Sequence, residues 1–380
     1  MAKLGEVCTI VSGSTPKTSV TSYWDGNIKW ITPAELNEDT FYIMDSVRHI
    51  TEEGKEETGL SYLPTGTVIL SSRAPIGKTA IAGCEMCCNQ GFKNLICSDA
   101  IYNEYLYFFL KSKTDYLNSL GRGATFKEIS KSIVESIEIP LPEVNQQKEI
   151  AEKFKKLEQL ISLRKQQLAK LDELVKARFV EMFGDPVNNP MNYPKSQLGK
   201  VCDVRDGTHD SPEYYDVGYP LVTSKNVTGG KIDLSECNLI SEDDYKKICE
   251  RSKVDRGDII MPMIGTVGKP VIVNIEPMFA IKNVALIKFT LDSLVTNIYI
   301  KTLLESDYFD RAVLDKIRGG TQKFIALGDI RKLEIILPDL KHQQCFSTFV
   351  ERVDKQKQTV QQSLEKLELM KKALMQEYFG

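Results

Sequence analysis

An unbroken heptad repeat, from Gln146 to Phe183, constrains the fold of this chain more than any other feature. Its stripe advances in alternating steps of four and three residues: Ile150, Phe154, Leu157, Ile161, Arg164, Leu168, Leu171, Val175, Arg178 and Met182. This spacing predicts one helix of roughly 55 Å, at about 1.5 Å per residue, with one face turned to a partner along its length. Because a small domain needs less helix for its own core, the stretch requires a partner helix.

The C-terminal stretch of the same chain supplies that partner. The stripe recurs 196 residues further on, from Ile150 to Phe346: Phe346, Val350, Val353, Lys357, Val360, Leu364, Leu367, Lys371, Leu374 and Tyr378. Basic residues interrupt the two stripes at different heptads, and polar residues inside a seam tend to fix its register. We therefore predict that the two helices pair with each other.

A globular segment precedes each helix, and the two segments repeat the same order of motifs. The second copies follow the first in order: Thr223 for Thr32, Arg256–Met261 for Thr65–Leu70, Gly268–Lys269 for Gly77–Lys78, Arg318–Lys323 for the Arg122 loop, and Leu333–Pro338 for Ile137–Pro142. Spacing predicts helices over Tyr102–Leu120 and Asp307–Ile317, and a final strand over Ile133–Leu141. The domain boundaries that follow are 1–143, helix 144–184, linker 185–195, 196–339 and helix 340–380. If the helices pair antiparallel, the chain is pseudo-two-fold, like the backbone of a DNA duplex.

Composition limits the class of protein. The 380 residues, 42% of them hydrophobic, are enough for two ordinary domains, and a net charge of −3 excludes a binder driven by overall charge. We find no apolar N-terminal run and no 18-residue apolar stretch, which predicts a cytoplasmic protein without a membrane segment. The nine cysteines fit reduced thiols. The Cys84, Cys87 and Cys88 cluster lacks a fourth ligand for zinc at a sensible spacing unless Cys97 serves, and the second copy has no counterpart, so no metal is expected.

One loop resembles a nucleotide-binding motif. Residues 72–79 end in Gly77-Lys78-Thr79, but a serine replaces the first glycine and the residues that follow have the pattern of a strand. A phosphate loop needs a helix there to present its N–H groups. The loop is better suited to contacts with DNA phosphates, or to a plain hairpin turn.

These motifs, in this order and twice over, resemble the specificity subunit of type I restriction–modification enzymes over essentially the whole chain. The resemblance rests on short motifs: Leu-Gly-x-Val-Cys at 4–8 and 198–202, Trp30–Pro33, Gly66–Leu70 with Ile76–Lys78, Arg318–Lys323, the Gln146-Gln147 and Gln343-Gln344 pairs, and the Phe-Gly helix ends at 183 and 379.

The resemblance implies a mixed α/β (α+β) fold. Two target recognition domains, in pseudo-two-fold arrangement, would be separated by two long antiparallel coiled-coil helices. Each domain would read one half of a bipartite target in double-stranded DNA. The subunit itself would be non-catalytic. It would dock two methyltransferase subunits, which carry S-adenosylmethionine and methylate adenine at N6, and restriction subunits, which use ATP and Mg. The chain itself would bind none of these cofactors.

Candidate DNA contacts are the polar and basic side chains of the repeated loops. Arg grips guanine in two-pronged fashion and Gln pairs with adenine, whereas Lys and backbone N–H groups suit phosphates. The predicted DNA-binding residues are Thr15, Lys17, Thr32, Ser72, Arg73, Lys78, Lys93, Arg122, Thr125, Lys127, Thr208, His209, Ser224, Lys225, Asn226, Thr266, Lys269, Lys282, Arg318, Thr321, Gln322 and Lys323. The alternative for each of these residues is a place on an ordinary solvent-exposed turn, without contact to DNA.

Catalysis by the chain itself is not expected. The sequence contains no Asn/Asp-Pro-Pro-aromatic quartet to hold a flipped adenine, and its three histidines are scattered. Two alternatives stay open: a coiled-coil adaptor without a DNA role, and a nucleotide-binding enzyme built on the Gly77-Lys78-Thr79 loop.

Overall fold

A computed structural model describes residues 1–37, 39–122, 127–264, 269–313 and 324–380. The chain divides into two compact units. Unit 1 comprises residues 1–165 together with 362–380, and unit 2 comprises residues 166–361. Unit 1 is therefore built from two stretches that are far apart in the sequence.

Short strands and helices alternate in unit 1 ahead of the first long helix. In chain order they are β1 Ala2–Lys3, α1 Leu4–Val7, β2 Cys8–Ser12, β3 Trp24–Ile31, β4 Tyr42–Ile43, β5 Arg48–Ile50, α2 Glu52–Thr58, β6 Val68–Leu70, β7 Thr79–Ala82, β8 Cys87–Cys88, β9 Lys93–Cys97, α3 Asn103–Ser112, α4 Thr114–Leu120, α5 Lys131–Ser136, β10 Glu138–Ile139 and α6 Val144–Phe183. Single 3-10 turns lie at Thr21–Tyr23 and Pro33–Glu35.

The residues that follow repeat this order. They form β11 Lys195–Gln197, α7 Leu198–Val201, β12 Asp203–Asp206, β13 Tyr219–Val222, β14 Val227–Thr228, β15 Lys231–Ile232, β16 Asn238–Ile240, α8 Glu242–Ser252, β17 Ile259–Pro262, β18 Val271–Ile272, β19 Ala280–Ile281, β20 Val284–Lys288, α9 Asn297–Leu304, α10 Asp307–Val313, α11 Leu327–Arg331, β21 Glu334–Ile336 and α12 Leu340–Phe379. A 3-10 turn at Ser224–Asn226 corresponds to the turn at Pro33–Glu35.

Sheet topology corresponds in the two units, except that among the described residues the strand β4 is found in unit 1 and the β14-β15 pair in unit 2. One sheet has the order β2-β9-β6-β7-β4 in unit 1 and β12-β20-β17-β18 in unit 2. The other has the order β5-β3-β8 and β16-β13-β19, and in each its third strand runs parallel to the middle one. The predicted duplication of a mixed α/β unit is confirmed.

The long helices pair antiparallel within each unit. In unit 1 the partners run in opposite order along the two helices, Lys153 with Tyr378 (3.0 Å), Glu158 with Lys371 (2.7 Å) and Arg164 with Ser363 (3.2 Å). In unit 2, Lys357 Nζ donates to Asp172 Oδ1 at 2.5 Å. Polar seam residues therefore bond across the pair, as the heptad pattern predicts.

Aromatic residues at the helix ends complete both cores in the same way. Phe379, at the end of α12, packs on Tyr105 of unit 1 with ring centroids 5.3 Å apart. Phe183, at the end of α6, packs on Tyr299 of unit 2 at 5.0 Å. Each unit thus takes part of its core from a long helix.

Two of the predicted elements differ from the structure. The helix expected over Tyr102–Leu120 is broken at Lys113, which separates α3 from α4. The final strand expected over Ile133–Leu141 is wrong at its start, where residues 131–136 form helix α5. The hydroxyl of Ser130 accepts from the Ile133 N–H and caps this helix, so local capping outweighs the β-branched composition. No helix among the described residues is long and apolar enough to span a bilayer.

Candidate nucleic-acid interface

One glycine in each unit brings a loop against the end of the neighbouring sheet. A Cβ on Gly13 would overlap the carbonyl oxygens of Cys88 and Asn89, and one on Gly207 would overlap the carbonyl oxygen of Ile281. The next residue then bonds to the same carbonyl: Ser14 N donates to Cys88 O at 3.0 Å, and Thr208 N to Ile281 O at 2.9 Å. Only glycine permits this close approach.

Other loops meet at the same edge, which we call the loop edge. In unit 1 it comprises the described residues of 13–17, 32–36, 71–78, 89–93 and 121–128; in unit 2 it comprises those of 207–211, 223–226, 262–269, 281–285 and Phe324. In unit 1, a backbone bond from Ser72 N to Gly91 O (2.7 Å) joins two of these segments; in unit 2, Lys282 N donates to the carbonyl of Val222 (2.9 Å), the residue just before segment 223–226. Most predicted contact residues lie on these loops.

A three-membered ionic cluster occupies the centre of the loop edge in unit 1. Glu128 Oε2 accepts from Arg73 Nε at 2.9 Å, and Glu128 Oε1 accepts from Lys93 Nζ at 3.1 Å. The Lys93 side chain is 9% exposed and that of Arg73 is 45% exposed. Burial opposes ionisation of Glu128, but hydrogen bonds from Lys93 and Arg73 outweigh it and lower the pKa of this carboxyl below its ordinary value.

The matching positions of unit 2 are apolar. Backbone pairing makes Ile264 and Phe324 equivalent to Arg73 and Glu128, because each pair forms the same antiparallel bridge. Ala285 replaces Lys93, since it pairs with Asp206 as Lys93 pairs with Ser12. The two loop edges therefore share a backbone but present different chemistry.

Unit 2 has instead a hydrogen-bonded chain of four polar side chains. Asp206 is buried, accepts from Arg251 Nη2, and lies 2.9 Å (Oδ2) from His209 Nε2. His209 Nδ1 lies 2.9 Å from Asn283 Oδ1. Hydrogen bonds with Asn283 and Asp206 raise the pKa of His209 above its ordinary value. When the imidazole is protonated, both ring nitrogens donate in this arrangement.

Unit 1 repeats the last link of that chain with different residues. Thr15 occupies the place of His209, and its hydroxyl Oγ1 donates to Gln90 Oε1. Gln90 occupies the place of Asn283, because it follows strand β8 as Asn283 follows β19. In both units, a side chain after the close-approach glycine thus holds the oxygen of a carboxamide.

Several predicted contact residues bond within the protein. Lys78 Nζ donates to the carbonyl oxygens of Leu36 (2.7 Å) and Pro33 (3.4 Å), and so ties two loops together. Thr32 N donates to Glu35 Oε1 at 2.7 Å, and its counterpart Thr223 N donates to Asn226 Oδ1 at 2.9 Å.

The two predicted serines are placed differently from each other. Ser72 is fully buried, with its backbone N–H and carbonyl both bonded and its hydroxyl without a partner in the described chain. Ser224 is half-buried on the 3-10 turn, and its hydroxyl also lacks a partner among the described residues. The contacts of these residues with DNA stay predictions.

The remaining predicted residues are exposed, half-buried or undescribed. Those with exposed side chains are Lys17, Arg122, Lys127, Lys225 and Lys269. Thr208 Oγ1 accepts from Asp210 N at 3.1 Å, and Lys282 Nζ donates to Ser211 Oγ at 2.7 Å. Outside the described residues lie Thr125, Thr266, Arg318, Thr321, Gln322 and Lys323.

Sequence reasoning missed the residues that organise these side chains. They are Gln90, Glu128, Asp206, Arg251 and Asn283. Gln90 and Asn283 could have been found from the repeat, because each lies two residues after the end of a matched strand, at Cys88 and Ile281. The others come from distant segments and carry no local signal.

Two other candidate sites are the loop at residues 72–79 and the cysteine cluster at 84–88. Residue 79 begins strand β7, so no helix N-terminus follows Lys78 as a phosphate loop requires. Burial raises the pKa of Cys87 to about 11 and that of Cys88 to about 12. Across the described ranges, no group of three or more His, Cys, Asp and Glu side chains lies together as metal ligands would.

Comparison with known proteins agrees with the duplicated fold. The family described as Type I restriction modification DNA specificity domain matches residues 1–173 and 190–369. The specificity subunit of the type I restriction enzyme MjaIX of Methanocaldococcus jannaschii is 31% identical over 382 residues, which cover 92% of this chain and 85% of the relative. The EcoKI specificity subunit of Escherichia coli is 22% identical over 266 residues, 64% of this chain and 56% of the relative.

Solved structures show the same fold. The S subunit of a type I restriction–modification system from M. genitalium aligns over 100% of this chain and 95% of its own, with a TM-score of 0.58 at 15% identity. A chain from a study of complex assembly and conformational transition of the type I R-M system aligns over 100% and 96%, with a TM-score of 0.64 at 19% identity.

The duplicated α/β unit, together with the DNA specificity family that matches both copies, defines a DNA-recognition protein. The extent of the family match and the MjaIX relative then identify the family: the chain belongs to the type I restriction–modification DNA specificity family. It is a specificity subunit, the DNA-recognition component of such a system.

Proposed function

We propose that this subunit is non-catalytic and reads a bipartite target in double-stranded DNA, one half with each unit. The observation that carries the proposal is the difference between the two loop edges at matched backbone positions. Arg73 and Glu128 in unit 1 correspond to Ile264 and Phe324 in unit 2. Surfaces of one shape and different chemistry suit two half-sites of different sequence.

Local charge supports binding to DNA despite the net charge of −3. In unit 1, the described loop edge has the basic residues Lys17, Arg73, Lys78, Lys93, Arg122 and Lys127 against the carboxylates Glu35 and Glu128. Such a local excess of cations attracts phosphates, which contribute affinity and orientation rather than sequence preference. Exposed Lys17, Arg122 and Lys127 are the phosphate contacts we favour in this unit.

Partner subunits supply the chemistry in this proposal. Two methyltransferase subunits would carry S-adenosylmethionine and transfer its methyl group to N6 of adenine, and restriction subunits would use ATP and Mg to translocate and cleave. The chain would dock them and bind none of these cofactors itself. The absence of an Asn/Asp-Pro-Pro-aromatic quartet from the whole sequence supports this division of labour, because a flipped adenine needs such a pocket.

A domain exchange tests the division of recognition. Residues 1–143 are replaced by the first recognition domain of another family member, and methylated adenines are mapped across the genome of cells that carry the partner subunits. We expect one half of the methylated motif to change and the other to be kept; the matched exchange of residues 196–339 should do the reverse. A single exchange that rewrites both halves would contradict the proposal, and an unmethylated genome with assembled wild-type complex would favour an adaptor role.

The non-catalytic role is tested on purified chain without partners. We expect neither methyl transfer from S-adenosylmethionine to target duplex nor ATP hydrolysis, and both should return when the partner subunits are added. Methyl transfer that survives rigorous depletion of methyltransferase subunits would refute it.

A further inference from the structure

We propose that Gln90 and Asn283 each read one adenine, one in each half-site, and that Thr15 and His209 position them for it. This inference rests on the proposed function, because it assigns the bases that the two loop edges read. It adds two specificity residues and gives two predicted contact residues, Thr15 and His209, a positioning role. The adenines in question stay stacked in the duplex, so they are distinct from the base that is extruded for methylation.

In unit 2, the protonated form of His209 fixes which way the carboxamide faces. The buried Asp206 carboxylate only accepts, so His209 Nε2 donates to it at 2.9 Å. Nδ1 of the protonated imidazole donates to Asn283 Oδ1 at 2.9 Å and occupies one of its two lone pairs. The second lone pair and the amide N–H groups have no partner within the described residues. Because Arg251 also bonds Asp206, the chain of contacts is anchored on helix α8.

In unit 1, a hydroxyl has the role of the imidazole. Thr15 Oγ1 donates to Gln90 Oε1, and Gln90 is exposed. Again one oxygen lone pair and the amide N–H groups remain open toward solvent in the described structure. The hydroxyl of Thr15 and the imidazole of His209 thus each contact the side-chain amide oxygen of a carboxamide residue, Gln90 in unit 1 and Asn283 in unit 2.

Placement also distinguishes these two carboxamides from their neighbours. Each lies on the loop edge two residues after a strand, where Gly13 or Gly207 brings the donor loop into contact. Asn283 adopts a left-handed φ of 55°, a conformation that Asn tolerates better than most residues. Asn94 and Asn226 use their amides within the fold, on Val11 O and Thr223 N.

Adenine is the base that fits an amide presented in this way. Its major-groove edge offers an acceptor, N7, beside a donor, the N6 amino group, and a carboxamide bonds to both. Guanine presents two acceptors and cytosine a donor, so neither matches both amide atoms. An amide fixed by a neighbour loses less freedom on binding, which strengthens the preference.

The experiment uses the complex of full-length chain and methyltransferase subunits, after the methylated motif has been mapped. Competition binding is measured on target duplexes in which each adenine in turn is replaced by 7-deazaadenine, which lacks the N7 acceptor. For wild type, we expect one adenine per half-site at which this change weakens binding by about 5- to 150-fold. In Gln90→Ala the effect should vanish at one of them, and in Asn283→Ala at the other.

Substitution of the positioning residues supplies a second readout. Thr15→Val should weaken discrimination at the adenine assigned to Gln90, whereas Thr15→Ser, which keeps the hydroxyl, should restore it. Asn188→Ala is the matched control, because Asn188 is an exposed carboxamide whose side chain, among the described residues, bonds to Asp185 alone; it should leave every position unchanged.

Two results would overturn the inference: 7-deaza effects that persist in both alanine variants, or equal behaviour of Thr15→Val and Thr15→Ser. If a variant complex binds too weakly for competition, the motif that it methylates in cells is mapped instead. A motif that still requires adenine at the assigned position counts against the proposal. Failure of the proposed function is recognised separately, because wild-type complex would then show no bipartite motif at all.

Discussion

Arg73 and Glu128 form an ion pair of 2.9 Å in unit 1 at the backbone positions where unit 2 has Ile264 and Phe324. The carboxylate also bonds the nearly buried ammonium of Lys93, so one acid restrains two cations on a surface that we expect to meet phosphates. Glu128 therefore weakens the local positive field while it orders the side chains that produce it. These two effects are separable by substitution.

Replacing Glu128 with Gln should raise affinity for non-specific DNA while lowering the stability of unit 1. Release of Arg73 should steepen the dependence of log K on log salt by up to about one unit, the contribution of one phosphate contact. Loss of charge-assisted bonds should lower the free energy of unfolding by about 1 kcal/mol. The matched control is Glu138→Gln, an exposed carboxylate on β10. Unchanged salt dependence would show that Arg73 does not reach DNA.

The stability difference between wild type and Glu128→Gln should depend on pH in a defined direction. Because the pKa of Glu128 is lowered in the folded state, its ion pairs stabilise above the ordinary carboxyl pKa and are lost as pH falls through the lowered value. Urea titrations at pH 7 and pH 3 should therefore show the two proteins converging at the acid end.

Buried glutamines at the starts of α6 and α12 should be the most costly polar residues to remove. Gln147 accepts from Tyr102 N at 2.8 Å and donates to the carbonyls of Ala100 (3.0 Å) and Pro142 (2.8 Å). Gln147→Ala leaves three backbone groups unsatisfied, so we expect a loss of about 3 kcal/mol or more. Exposed Gln146→Ala is the control and should cost less than about 0.5 kcal/mol.

Tryptophan fluorescence during urea unfolding measures this effect in unit 1 alone, since both tryptophans, Trp24 and Trp30, belong to that unit. Gln343 makes the equivalent bonds to Thr296, Leu294 and Pro338 in unit 2. Gln343→Ala should therefore shift the circular dichroism transition more than the fluorescence transition. Equal shifts in both signals would mean that the two units unfold together.

Phe379→Ala should destabilise unit 1 although the residue is remote in sequence from the first segment of that unit, residues 1–165. Its ring stacks on Phe154 at 5.6 Å and contacts Tyr105 and Phe109, and it is 2% exposed. Removal of a buried phenylalanine typically costs about 3–5 kcal/mol. We expect the tryptophan transition to move to lower urea, and Leu369→Ala, at an exposed position of the same helix, to leave it in place.

Recognition by unit 2 should weaken with rising pH, whereas recognition by unit 1 should not. The pKa of His209 is raised by Asn283 and Asp206, so its hold on Asn283 is complete below the ordinary histidine pKa and is lost as pH rises through the raised value. Arg251 also faces Asp206. Discrimination at the adenine of each half-site, measured from pH 6 to pH 9, should fall for unit 2 only. An equal decrease of discrimination with pH in the two half-sites, or the same pH dependence in His209→Gln as in wild type, would contradict this.

Periodicity made the long helices and the duplication predictable, because a stripe such as Ile150 to Met182 depends only on local spacing. The contacts made by loop side chains were harder to predict from the sequence. Lys78 looked like a phosphate contact in the sequence, yet its ammonium bonds to the carbonyl of Leu36, 42 residues away. Asn226 was predicted as a DNA contact; its amide oxygen caps its own turn by accepting from Thr223 N, and its contact with DNA stays a prediction. The role of a loop side chain depends on which other loops it contacts. Those contacts depend on long-range approaches, such as that of Gly13 to the backbone of Cys88, which no local sequence pattern reveals.

Unit 1 draws its core from residues on both sides of unit 2, and this has a consequence for biosynthesis. Phe379 reaches the core of unit 1 only after residues 166–361 have been translated. At about 5–20 residues per second, those residues take about 10–40 s. During that time Tyr105 and Phe154 lack the ring that covers them. The sequence of unit 2 is complete at residue 361, before the last segment of unit 1, residues 362–380, has been made. Unit 1 is therefore begun first and is the last to have its whole sequence available for folding.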